Sequence, residues 1–303
     1  MLESMWADAA LVGIFGLLVG SFLNVVIHRL PKMLEAQWAA ECAELSGQEP
    51  PEQAKLNLLV PRSRCPQCGH EIRWYENIPI ISFAALRGKC SSCGTRIGFR
   101  YPLVELVTGA LFFFCATRWG SNPTTAAWCI FCATLVALTC IDWDTTLLPD
   151  DMTLPLVWLG LIAAALRWNP LVISLSDALW GAVAGYLSLW LVYWAFKLVT
   201  GESSTDYHFW QTEWWIYRAD SGKEGMGYGD FKLFAALGAW FGWQALVPII
   251  LMSSVIGAVV GIAMKFSTGL REGGYIPFGP FLAGAGLTAL IFGPQAILRV
   301  IGL

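Results

Sequence analysis

Charge is scarce in this sequence. Only 14% of its 303 residues are Asp, Glu, Lys or Arg, against about 25% in a soluble globular domain. With 56% of the chain hydrophobic and a mean hydropathy of +0.57, a soluble enzyme is excluded and a polytopic membrane protein is indicated. Positive charge is absent from Met1 to Asp8, and Gly20-Ser21-Phe22-Leu23-Asn24 continues into His28-Arg29 without a processing site. The first apolar run therefore reads as a retained span, not a cleaved signal peptide. No internal repeat is visible, which weighs against inverted-repeat transporters. No nucleotide-binding fingerprint is present either, and no nucleic-acid partner is expected.

What fills the chain is apolar runs. They fall at about 8–28, 102–119, 124–141, 152–168, 177–198, 231–247, 248–266 and 278–298, near the roughly 17–25 residues that a spanning helix needs. The expected fold is all-α: about eight transmembrane helices in contact with lipid, with a small cytoplasmic domain. Sixteen Trp suit the two membrane interfaces. Lys and Arg set the orientation. With an external amino terminus, residues 29–101, 142–151, 199–230 and 265–277 lie inside. Those segments and their flanks carry sixteen of the nineteen Lys and Arg, leaving Arg118, Arg167 and Arg299 outside. The implied division is a first helix over 1–30, a cytoplasmic domain over 31–101 and a membrane domain over 102–303.

The domain over 31–101 holds Cys65-Pro66-Gln67-Cys68-Gly69 and Cys90-Ser91-Ser92-Cys93-Gly94. Two such knuckles read as a four-thiolate Zn2+ site, which would fold a loop too small to build its own core. Two disulfides are the alternative, and a reducing compartment disfavours them. Cys115, Cys129, Cys132 and Cys140 lie within apolar runs and read as packing residues.

Two acids stand at the edges of apolar runs. Asp142 continues Leu138-Thr139-Cys140-Ile141, and Asp230 closes Gly225-Met226-Gly227-Tyr228-Gly229 just before the run that starts at Phe231. Asp144 is expected to face solvent. Asp150 and Asp151 precede another span and read as N-capping or helix-start charges. Gly225, Gly227 and Gly229 permit unusual backbone angles or a close approach by another segment; a flexible linker is their blander reading. Two carboxylates brought together share a proton. The ionised one can take a proton from water while the protonated one polarises a carbonyl, which is aspartic peptidase chemistry. A proton or cation relay in a transporter is the competing use of such acids.

At these residues the chain resembles the bacterial type IV prepilin peptidases, the bifunctional leader peptidase/N-methyltransferases of pilus assembly and type II secretion. The resemblance runs through Gly20–Pro31, Pro61-Arg62-Ser63-Arg64, Asn77-Ile78-Pro79, Tyr101-Pro102-Leu103-Val104-Glu105, Leu147-Leu148-Pro149-Asp150, Gly225–Lys232 and Ile276-Pro277-Phe278-Gly279-Pro280. It implies Asp142 and Asp230 as catalytic, and Cys65, Cys68, Cys90 and Cys93 as zinc ligands. It also implies cleavage of a short basic leader from prepilins and pseudopilins at the inner membrane. Methylation of the new amino terminus from S-adenosylmethionine would follow, with 31–101 as the methyltransferase part. A peptidase without methyltransferase activity is the nearer alternative. An aromatic stretch at about 202–222 departs from the family pattern, as a membrane-lying belt or a cover over the site.

Overall fold

The computed structural model describes residues 2–49, 56–200, 227–267, 276–295 and 299. The aromatic stretch at 202–222 and Gly225 lie outside them. Among the described residues the α-helices are α1 (Leu2–Leu45), α2 (Ile81–Ala85), α3 (Arg100–Trp119), α4 (Pro123–Thr145), α5 (Asp150–Ala165), α6 (Leu175–Thr200), α7 (Tyr228–Phe241), α8 (Leu246–Ser267) and α9 (Gly279–Phe292). Eight of these, all but the short α2, fall on the eight apolar runs. Five of the eight are long and apolar enough to cross a membrane, those beginning at Met5, Arg100, Pro123, Leu175 and Trp243, and α9 is a shorter apolar helix. The full count of eight spans goes beyond this, because α5 and α7 have 16 and 14 residues.

Local sequence punctuates the helices. Pro123 opens α4 and Pro280 lies in the first turn of α9, where a missing N–H leaves no bond unmade. Gly120 ends α3 at φ 75° and Gly242 ends α7 at φ 77°, left-handed positions that suit glycine. Helix α6 is apolar along its length, yet only 17% of its spanning window is buried within the protein. Leu187, Leu191 and Phe196 are among its exposed side chains, an arrangement that is stable in lipid and unstable in water.

The chain divides into two compact units, Met1–Ala39 with Pro50–Ile141, and Ala40–Glu49 with Asp142–Leu303. In the first, buried Arg29 donates to the carbonyls of Asn57 and Pro61 at 2.8 and 2.6 Å. Glu105 of α3 is buried and accepts the Ile80 N–H at 2.8 Å. Ile80 sits at φ 60°, a region that a β-branched residue rarely enters, so this carboxylate anchors a strained turn. The segment between α1 and α3 is built on two matched loops. The backbone of Arg64 pairs antiparallel with that of Glu71, and that of Lys89 with Arg96, each pair seven residues apart around one C-x-x-C-G sequence.

In the second unit α7 is the buried element, with every residue from Asp230 to Phe241 except Lys232 buried. The indole N–H of Trp240 donates to the Leu156 carbonyl at 3.0 Å, and the Asn169 amide donates to the Trp240 carbonyl at 2.8 Å. Helices α6 and α7 meet backbone to backbone. A Cβ on Gly181 would run into the Gly238 carbonyl, and one on Gly185 would lie 2.6 Å from the Phe234 oxygen. Small residues four apart allow this approach in lipid. Gly181→Leu is therefore expected to destabilise the folded protein by about 3 kcal/mol or more, while Gly284→Ala, with open space around it, leaves the melting temperature unchanged or slightly raised. Thermal unfolding in detergent checks both.

Candidate active site and metal centre

Asp142 lies in the last turn of α4 and Asp230 in the first turn of α7, and both belong to the second unit. Each is only 4% exposed. They line one small cavity of about 30 Å³ together with Thr146, Leu148, Gly227, Gly229 and Phe278. That volume suits about one water molecule. Asp142 Oδ2 and Asp230 Oδ1 are buried and, among the described residues, have no hydrogen-bond partner. Polar atoms so placed are costly unless a ligand or water uses them.

Helix N-termini hold the other side of each carboxylate. The Gly227 N–H donates to the Asp230 carboxylate. Gly227 is the N-cap of α7 and Asp230 its third residue, so this is half of a capping box. The N–H of Gly279, the first residue of α9, donates to Asp142. Both carboxylates thus face the positive end of a helix dipole. Thr146, just past α4, has φ 54° and donates its N–H to the Asp142 carbonyl at 2.8 Å. This off-region residue sits beside the site, where such strain tends to collect.

The glycines divide. A Cβ on Gly229 would lie 2.6 Å from Leu148 Cβ, so the close approach expected there is present and its partner is the segment after α4. Gly227 differs from expectation. Its φ of -80° is open to any residue, and a Cβ would touch nothing within 4 Å among the described residues. Sequence reasoning missed Gly279, on which a Cβ would lie 2.5 Å from Asp142 Oδ2. The signal was its place before Pro280, at a helix start. Sequence reasoning also missed the partner of Asp150. Pro149, not an acid, is the N-cap of α5, and Asp150 and Asp151 lie in its first turn. Lys232 binds both Asp150 oxygens at 2.6 Å, joining the start of α5 to the helix that carries Asp230. Asp144 is exposed.

The four knuckle cysteines converge, with their sulfurs all within 4.8 Å of one another. Cys65 and Cys93 Sγ are 3.8 Å apart, Cys68 and Cys90 4.0 Å. A tetrahedron with metal–sulfur bonds of about 2.3 Å has an edge of about 3.8 Å, so the four sulfurs fit a metal ion. Each knuckle folds alike: Gly69 and Gly94 donate to the carbonyls of Cys65 and Cys90, at 2.9 and 3.0 Å. The backbone N–H groups of Cys68 and Gln67 lower the Cys65 thiol, and the Thr95 hydroxyl helps bring Cys93 down to about 6. The His70 amide pulls Cys68 down, yet burial and the neighbouring sulfurs push it up to about 11. A cation that takes up four thiolates relieves that crowding. Beside the cluster, hydrogen bonds from Ser91, the Arg73 N–H and His70 hold Glu76 down at about 2. Cys115, Cys129 and Cys132 are buried elsewhere in the first unit, with Cys115 and Cys132 Sγ 4.0 Å apart.

Residues 14–119 match the bacterial peptidase A24 N-terminal domain, and residues 129–262 match the type IV leader peptidase family. The chain belongs to the type IV leader peptidase family. It is 53% identical to a prepilin leader peptidase/N-methyltransferase of Pseudomonas aeruginosa over 283 residues, 93% of this chain and 89% of that one. Proteins of the same name from Stutzerimonas stutzeri and Pseudomonas putida are 51% and 47% identical, over 93% and 94% of this chain and 90% and 91% of theirs. No solved structure matches the chain significantly.

Metal analysis of the purified full-length protein is expected to find one thiophilic ion per chain. Cys65→Ser or Cys90→Ser should lower that stoichiometry severalfold, with resistance of residues 56–99 to limited proteolysis lost in parallel.

Proposed function

We propose that this protein is a prepilin leader peptidase and N-methyltransferase whose hydrolytic pair is Asp142 and Asp230. The observation that carries the reading is the cavity of about 30 Å³ that both acids line, together with the buried oxygen that each carboxylate leaves without a hydrogen-bond partner among the described residues. The ionised carboxylate takes a proton from a water, whose oxygen attacks the scissile carbonyl carbon. The protonated carboxylate gives its proton to the carbonyl oxygen. Collapse of the tetrahedral intermediate breaks the C–N bond, and the departing nitrogen receives a proton from the pair. The Gly227 and Gly279 N–H groups orient the two acids. The named relatives support prepilins as substrates and methylation of the product's amino terminus, and a transporter reading is not favoured.

Zinc is the ion that best suits four thiolates on two matched knuckles in a reducing compartment, and it would serve to fold residues 65–93 rather than to catalyse. S-adenosylmethionine is the methyl donor that goes with N-methylation. The bias of Lys and Arg supports an external amino terminus and acids at the cytoplasmic face of the inner membrane.

Co-expression with a prepilin, followed by the mass of the product, tests this reading. Asp142→Asn and Asp230→Asn are each expected to lower leader removal by at least about 10²–10⁴-fold while the protein still accumulates; normal cleavage by either variant overturns the assignment. In the same assay Gly229→Ala and Gly279→Ala are expected to slow cleavage at least tenfold through Leu148 and Asp142. An unmethylated product from the wild type would remove the second activity.

A further inference from the structure

A second cavity of about 430 Å³ opens between α6, α8 and α9. One wall carries Leu189 and Val192, and the other is low, formed by Ser254, Gly257 and Ala258. Phe278 lines both this cavity and the acid cavity, so the two spaces adjoin at that residue. Among the described residues, none that lines the larger one is charged.

We infer that this groove seats the apolar helical segment that follows the scissile bond of the substrate. The inference rests on the peptidase reading above. The acid cavity has room for little beyond the attacking water, so the flanking chain must leave it, and the groove begins where Phe278 ends it. A bond cut at a membrane boundary has one side that continues into lipid, and that side is a helix, because a chain in lipid must satisfy its backbone internally. One turn of such a helix, about 5.4 Å high and 10–12 Å across, occupies roughly 500 Å³, close to the groove's volume. The low wall lets a helix backbone approach closely, as small residues do between membrane helices. With no charge among the described lining residues, a chain that is charged on one side of the bond and apolar on the other fits this groove with its apolar side. Phe278 then divides the bond from the helix and sets which peptide bond reaches the acids.

Cross-linking in membranes tests the groove without turnover. Benzoylphenylalanine is placed at Ala258 of the full-length Asp230→Asn variant, co-expressed with a prepilin and irradiated. The expected product is an adduct with the prepilin, mapped within about two helical turns after the cleavage site. Adducts with lipid alone, or with the leader side of the bond, would overturn the inference. Kinetics supply a second readout. For Ala258→Trp, the ratio of kcat/KM on full-length prepilin to that on a peptide ending three residues past the bond should fall about tenfold, mostly through KM. An unchanged ratio would also overturn it. If Asp230→Asn still cleaves, the acid pair fails, while the adduct still decides the groove.

Discussion

Two carboxylates buried among apolar helices are the constraint on which the second unit depends. Each would be costly in isolation, and nothing hydrophobic offsets that cost. What holds them is a set of helix starts. Gly227 at the head of α7 and Gly279 at the head of α9 each turn a backbone N–H toward one acid. Those helix starts stay in place because α7 is buried along its length, locked to α6 at Gly181 and Gly238 and to α5 through Trp240 and Lys232. The packing of α7 is therefore what brings the acids to one cavity, which has room for about one water.

The first unit solves a different problem. Residues 56–99 have few buried apolar side chains and too little length for a core of their own. Their order comes from the four-sulfur cluster and from contacts that reach the helices, the Arg29 bonds to Asn57 and Pro61 and the Glu105 bond to Ile80. The converging sulfurs and the polar anchors stand in for hydrophobic burial, as expected for a small segment.

Much of this was legible in the sequence. Composition announced a membrane protein, the runs located eight helices, and the knuckle spacing picked out sulfurs that meet at metal distance. Asp142 and Asp230 stood out because an acid at the edge of an apolar run needs a reason to be there. What was not legible is what depends on contacts between distant segments. Gly279 looked like a helix start, and only the fold shows it pressed against Asp142. Asp150 looked like a cap until Lys232, 82 residues away, bound it. Gly227 shared a pattern with Gly229, yet among the described residues only Gly229 meets another segment. The number of spans was legible only in part: among the described residues five helices are long and apolar enough to cross a membrane, while the runs over α5, α7 and α9 fold as helices of 16, 14 and 14 residues.

The central claim is that Asp142 and Asp230 work as one pair, with one proton between them. The pH dependence of kcat/KM for leader removal by the purified enzyme tests it most directly. A pair requires a bell-shaped profile, falling at low pH when both acids are protonated and at high pH when both are ionised. A profile that rises with pH and then stays flat, with no limb that needs a protonated group, would contradict it.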